Sequence, residues 1–168
     1  MPTRTQWSLL DPLIGRNPRA TLLRIAVLVS FSIGVFGWML VPLRLSGISM
    51  RPTYRDGAFN FANRAAYWVG EPVRGDVVAI RMAGPHAFYV KRIVGLPGER
   101  IEIVAGMVTV DGQVLLEPAV VRRAQWNLPP VTLAPGEFFV VGDNRSMKIE
   151  HHDLGRVSRR RIVGKLLF

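Results

Sequence analysis

The chain has 168 residues, a formal charge of +10, an apolar fraction of 49% and no cysteine. That length suits a single core, and the absence of thiols excludes disulfides, thiolate metal sites and cysteine catalysis, so any nucleophile is an oxygen or an amine. The apolar fraction and a mean hydropathy of +0.21 are high for a soluble chain of this size, which assigns part of that apolarity to lipid.

In chain order, residues 1–20 are polar, with Pro2, Pro12, Gly15 and Pro18, and read as a poorly ordered cytoplasmic tail. A membrane anchor is expected over 21–43, because Ile25 to Leu43 form an uncharged run of 19 residues that includes Phe31, Phe36 and Trp38. A cleavable signal peptide is disfavoured, since its apolar stretch is about 7–15 residues long and ends at a small-residue cleavage site. A buried core helix is disfavoured because the run is apolar all round. Arg4, Arg16, Arg19 and Arg24 precede the run against Asp11, so the positive-inside rule puts the N-terminus in the cytoplasm and 44–168 outside, although Arg44, Arg51 and Arg55 oppose it. Four of the 22 basic and one of the 12 acidic residues lie before residue 44, which leaves +7 on the remainder. Such an excess favours anionic surfaces. Phospholipid headgroups are the expected partner, and nucleic acid is not, because the arginines are scattered and Arg159-Arg160-Arg161 is a short run.

Pro42 is expected to end the helix, and Leu45 to Thr53 reads as a loop or short strand. From Val73 onward, short β-branched runs alternate with turn signals, so the fold class is mainly β. Strands are expected over Asp76 to Arg81, Phe88 to Val94, Arg100 to Val104, Met107 to Val110, Gln113 to Leu116, Phe138 to Val141 and Ile162 to Phe168. Ala105-Gly106 and Asp111-Gly112 mark tight hairpins. The segment from Leu116 to Pro135 is long for a connection and has room for an extra strand pair. One short helix is expected within His151 to Arg161.

A serine needs a base to become a nucleophile, and the three histidines do not suit the part. His86 stands beside Pro85 in a loop, and the side chains of His151 and His152 diverge if extended. With Glu150 and Asp153 the pair resembles a metal cluster, but neighbouring residues converge poorly on one ion, so no metal and no cofactor are expected. Lysine serves as a base when burial disfavours its ammonium. Lys91 lies in the apolar strand Phe88 to Val94, where alternation puts it on one face with Tyr89 and Ile93, and Arg92 on the other. Taken alone, an exposed Lys91 on a solvated face is as reasonable.

Four blocks resolve the choice by resemblance. Ser46-Gly47-Ile48-Ser49-Met50-Arg51-Pro52-Thr53, Arg74-Gly75-Asp76-Val77-Val78, Lys91-Arg92-Ile93-Val94-Gly95-Leu96-Pro97-Gly98-Glu99 and Gly142-Asp143-Asn144-Arg145 occur in the order seen in the type I signal peptidase (leader peptidase) family. The resemblance spans about residues 21–168. It implies a signal-peptidase-like antiparallel β domain over 44–168, tethered to a bacterial cytoplasmic membrane by one helix. It also implies a Ser/Lys-dyad serine protease that removes signal peptides from exported preproteins with small residues before the cut. Ser49 would be the nucleophile and Lys91 the general base. Met50, Asp143 and Arg145 would support the site, Arg92 would pair with such a carboxylate, and Leu45 and Val90 would wall the small pocket for the residue before the cut.

The sequence departs from the family at two places. Gly47 stands where many members have a hydroxyl that helps the oxyanion hole, which leaves more to the backbone amide of Ser49. Lys148, Glu150, His151 and His152 stand where a serine and an Asp-Ser-Arg triplet are usual. Ser146 or Ser158 would then contact Lys91, or Lys148 would act on it by like-charge repulsion. Glu150 and His152 are candidates to replace the missing aspartate and arginine. Phe59, Phe61, Tyr67 and Trp68 are candidates for a membrane-facing edge, with ordinary core packing as the competing reading. Alternatives to signal peptide removal are a specialised maturation peptidase of a conjugation or secretion system, and an inactive membrane-tethered β scaffold.

Overall fold

The computed structural model describes residues 17–82, 88–152 and 154–168, in two units that divide at Met39 and Leu40. His86, Asp153 and most of the tail expected at 1–20 lie outside the described residues. In the first unit, α1 spans Pro18–Met39. Asn17 starts it: its Oδ1 accepts the amides of Arg19 and Ala20 at 3.2 and 3.4 Å. Pro18 takes the first helical position, where no N–H is needed. At about 1.5 Å per residue the helix is roughly 33 Å long, enough to cross a hydrocarbon core of about 30 Å. Its residues are exposed all round, including Leu22, Leu28, Phe31 and Trp38, which suits a helix whose solvent is lipid.

The helix thus begins three residues before the anchor expected at 21–43 and ends four residues short of it. Leu40–Arg44 is not helix but β1, the edge strand of a sheet. Pro42 decides this: it cannot donate to a helical ladder, and it is tolerated on an edge strand.

Among the described residues the second unit contains eleven strands. The seven-stranded sheet joins β1 to β2 (Phe59–Asn63), β11 (Ile162–Leu166), β3 (Val77–Arg81), β4 (Phe88–Gly95), β9 (Glu137–Val141) and β10 (Gly155–Ser158), in that order and with antiparallel pairing throughout. The four-stranded sheet runs β7 (Gln113–Val114), β6 (Met107–Val110), β5 (Arg100–Val104), β8 (Leu128–Thr132). Ala105-Gly106 joins β5 to β6 and Asp111-Gly112 joins β6 to β7. All four turn residues have φ between 49° and 81°, the conformation that matches a two-residue hairpin to strand twist.

The expected strands are all present, with ends shifted by a few residues. β1, β2 and β10 were not expected. The helix expected within His151 to Arg161 is replaced by β10 between 3-10 turns at Ile149–His151 and Arg159–Arg161. In β10 only Val157 is buried, opposite Phe138, so the segment gains more from sheet pairing than from a helix with no apolar stripe. The long segment before Pro135 contributes one strand, β8. It carries Pro129 and Pro130 on an exposed edge and pairs its Leu128 and Val131 with Ile103 and Ile101.

Ile101, Ile103, Val108, Trp126 and Leu133 pack with Val94, Phe139 and Val141 to join the two sheets. A Cβ at Gly95 would lie 2.7 Å from Ile101 and 2.9 Å from Phe139, so only glycine lets β4 pass this junction. A second cluster, Leu43, Leu45, Met50, Ala62, Val77, Ala79 and Leu166, underlies the loop that carries Ser49.

Candidate active site

The loop between β1 and β2 is closed at its base by Leu45 N to Ala58 O and Gly57 N to Leu45 O, both 2.8 Å. Leu45 and Met50 anchor it in the core, at 7% and 5% exposure. Between these anchors Gly47 turns the chain with φ 97°, which a side chain would strain, and its amide donates to Asp56 Oδ1 at 2.9 Å. The turn after β9 holds the backbone of the same loop. Asn144 N donates to Ser49 O at 2.9 Å and Asn144 Nδ2 to Ile48 O at 3.0 Å. Gly142 packs so closely that an added Cβ would lie 2.3 Å from Ser49 O.

Lys91 sits in the middle of β4, opposite Val78 of β3. It is 2% exposed, and its Nζ lies 2.8 Å from Ser49 Oγ and 5.9 Å from the Tyr89 ring centre. Of the two adjacent cations, Lys91 is therefore the one taken out of water. Arg92 pairs with Asp143 through two parallel contacts, Nε to Oδ1 at 2.8 Å and Nη2 to Oδ2 at 2.7 Å, and also donates to Gly75 O at 2.7 Å. Thr53 Oγ1 donates to Asp143 Oδ2 at 2.5 Å. One buried carboxylate thus ties together residues from three of the four sequence blocks, and Arg92 extends the network to Gly75 of the fourth. Asp143's hydrogen bonds raise the Arg92 guanidinium above its ordinary value, against the opposing effect of burial. Burial raises the nearby Tyr54 phenol, with Arg92 opposing and Asp143 adding.

Arg145 is the largest fully buried side chain, 1% exposed. It donates to Glu117 Oε1 at 2.8 Å and lies 4.8 Å from the centre of the Trp126 ring. Burial lowers this guanidinium, and Glu117 opposes the shift. Arg145 therefore braces the long segment before β8 and does not line the cleft at Ser49. The side chain of Glu117 was missed because nothing in its sequence surroundings marks it.

The altered Lys148 to His152 stretch divides. Lys148 and Glu150 are exposed, whereas His152 is 6% exposed, with Nε2 3.2 Å from Asn144 O and its ring edge-on to Trp126 at 4.8 Å. His152 is thus the residue that backs the Gly142–Asn144 turn. The Ser146 hydroxyl is spent on Asn144 Oδ1 at 2.7 Å, and Ser146 lines a separate, smaller cavity with Asp143 and Arg51. Ser158 ends β10, opposite Glu137.

Ser49 and Lys91 open into a cleft of about 480 Å³, walled by Leu43, Leu45, Met50, Tyr54, Phe88 and Val90. Leu45 and Val90, expected as pocket walls, both line it. Of the aromatic edge, Phe59 and Trp68 are 62% and 54% exposed, while Phe61 and Tyr67 are half-buried.

A hydroxyl held against a buried amine, in a cleft with apolar walls on a β scaffold, is an arrangement suited to a lysine-assisted serine hydrolase. Residues 19–168 match the model of the family described as signal peptidase, peptidase S26. Signal peptidase I of Bacillus amyloliquefaciens is 32% identical over 155 residues, covering 86% of this chain and 80% of that protein. Signal peptidase I T of Bacillus subtilis (strain 168) is also 32% identical over 155 residues, covering 86% and 79%. A crystal structure of a signal peptidase I from Enterococcus faecalis V583 aligns with a TM-score of 0.48 at 24% identity, over 59% of this chain and 99% of that one. The chain belongs to the signal peptidase family, peptidase S26, and its class is that of a serine endopeptidase.

Proposed function

We propose that this chain removes signal peptides from exported preproteins, with Ser49 as nucleophile and Lys91 as its general base. The observation that carries the assignment is the 2.8 Å contact between Lys91 Nζ and Ser49 Oγ, with the lysine 2% exposed. Burial favours the neutral amine, the form that accepts a proton. Lys91 takes the Ser49 proton as Oγ attacks the scissile carbonyl carbon, and the carbonyl oxygen becomes an oxyanion. Collapse of that intermediate breaks the C–N bond, and Lys91 returns the proton to the leaving amine, which departs with the mature protein. The signal peptide remains as an ester on Ser49. Water, deprotonated by Lys91, then attacks the ester carbonyl; the bond to Ser49 Oγ breaks, Lys91 returns the proton to Oγ, and the signal peptide leaves with a free carboxyl group.

The amide of Ser49 is the nearest candidate to hold the oxyanion, because Gly47 has no hydroxyl and its amide is committed to Asp56. Leu45 and Val90 in the cleft wall favour a small apolar residue before the cut. Asp143, Arg92 and Thr53 keep the nucleophile loop and β4 in register, and Met50 fastens the loop to the core. α1 serves as the anchor. Arg4 and Arg16 before it, with Arg19 and Arg24 in its first two turns, favour an orientation with 40–168 on the extracytoplasmic side of a bacterial cytoplasmic membrane.

The relatives carry the name signal peptidase I, and the Ser49–Lys91 contact is intact, so neither a maturation peptidase nor a silent scaffold is favoured. The test is cleavage of a preprotein with an Ala-x-Ala site by the purified full chain. Ser49→Ala and Lys91→Ala are each expected to abolish processing while membrane insertion persists. Processing by either variant at the parent rate would refute the assignment.

A further inference from the structure

One end of the seven-stranded sheet gathers the starts of β1 and β11 with the ends of β2 and β3, because these strands run antiparallel in the order β1, β2, β11, β3. The chain enters the sheet at this end, with Leu40 opposite Asn63. The residues at these strand ends are basic: Arg64 follows β2, Arg81 closes β3, and Arg159-Arg160-Arg161 precede β11. Of these, Arg64, Arg81, Arg159 and Arg160 line an open cavity of about 330 Å³, with Tyr67 and Trp68 in its wall and no acid among its described lining residues.

The acids nearby are already matched. Glu71 accepts from Arg159 at 2.8 Å, and Asp76 is held by Lys165 at 2.6 Å and by Tyr67 at 2.8 Å. Arg81, Arg160 and Arg161 stay exposed, and Arg161 Nε donates to Arg81 O at 2.9 Å, which keeps the two chain segments side by side. Beside them Trp68 is 54% exposed and Val69 fully so. Like charges set this close repel unless an anion sits among them, and guanidinium groups match phosphate geometry.

We infer that this end of the sheet is a docking site for the phosphate headgroups of anionic phospholipids. Arg64, Arg81 and Arg160 meet the phosphates, and Trp68 with Val69 enters the interface. Two observations favour a lipid surface over nucleic acid. The exposed Trp68–Val69 pair adjoins the arginines, as interfacial anchors do. Leu40, which enters at this end, directly follows a helix long and apolar enough to cross a bilayer. The inference does not depend on the catalytic reading.

The test uses the full chain in nanodiscs of phosphatidylcholine, with or without phosphatidylglycerol, and follows amide hydrogen exchange over 64–69 and 159–163. Exchange is expected to slow when phosphatidylglycerol is present. Each cation near an anionic surface strengthens docking by about fivefold, so R81Q/R160Q should lose more than tenfold of that protection, and R81K/R160K should keep most of it. The circular dichroism spectrum and unfolding midpoint of both variants in detergent verify that they fold. Should the glutamine pair fail to fold, the lipid comparison on the unmodified chain and the lysine pair still decide. Equal exchange in the two lipids would overturn the inference. Equal or greater slowing by inorganic phosphate or an RNA oligonucleotide in phosphatidylcholine discs would do so too.

Discussion

Lys91 and Arg145 are almost equally removed from water, at 2% and 1% exposure, yet they meet different groups. The large sheet sets Lys91 Nζ 2.8 Å from a serine hydroxyl, whereas the turn after β9 sets Arg145 2.8 Å from the Glu117 carboxylate and against Trp126. A buried guanidinium keeps its charge and needs a counter-charge, so Arg145 works as a clamp. A buried amine has the option of losing its proton, which makes it usable as a base. Burial alone therefore does not tell a structural cation from a chemical one. The side-chain type and its neighbour do.

The largest test of this contrast is Lys91→Arg. The change keeps a cation in β4 but removes the means of deprotonation, so the rate of preprotein cleavage should fall by about a thousandfold or more, as with loss of a catalytic base. A loss of less than tenfold would show that the proton goes elsewhere. On the other side, Arg145→Met leaves the buried Glu117 carboxylate only the partly exposed Arg123, at 3.5 Å, and should destabilise the chain by about 3 kcal/mol, the low end for a broken buried pair, read as a lower unfolding midpoint in detergent. Adding Glu117→Leu should recover most of that loss. If the double variant is no better than the single, the pair is not a closed clamp.

Gly142→Ala separates positioning from stability. Its Cβ would lie 2.3 Å from Ser49 O and 2.5 Å from His152 Cε1, so the Ser49 backbone must shift. Turnover should fall by about a hundredfold, with substrate binding changed far less. Parent turnover would mean that the Ser49 backbone has room to move.

The smallest effect is expected at Asp76, away from both cations. Burial alone would raise its carboxyl, but hydrogen bonds from Lys165, Tyr67 and the Val73 amide outweigh this and leave it below the ordinary carboxylate value. A depressed folded value stabilises the chain above the unfolded pKa, and the contribution disappears as pH falls through the folded one. Asp76→Asn should therefore cost about 2 kcal/mol near neutrality and progressively less towards acid. A penalty independent of pH would assign the loss to packing.

Several features were legible in the residues alone. The uncharged run beginning at Ile25 is long and apolar enough to cross a bilayer. The alternation and β-branching of the runs after Val73 require strands, and the two-residue turns at Ala105-Gly106 and Asp111-Gly112 set their hairpins. The four blocks, by resemblance, singled out Ser49 and Lys91. The end of the helix was not legible, because Leu40 to Arg44 is apolar enough for either solvent and becomes β1 by pairing with a strand some twenty residues away in sequence. β10 was hidden for the same reason.

Within the site, alternation left open whether Lys91 or Arg92 is the buried cation. The sheet decided this by setting Asp143 beside Arg92 and Ser49 beside Lys91. The same long-range packing gave Ser146 to Asn144, Glu117 to Arg145, and His152 to the Gly142 turn. Local periodicity reports which face of an element avoids water. Which partner waits on that face depends on contacts between distant segments, and in this protein those contacts separate the lysine proposed as a base from the arginine that clamps a carboxylate.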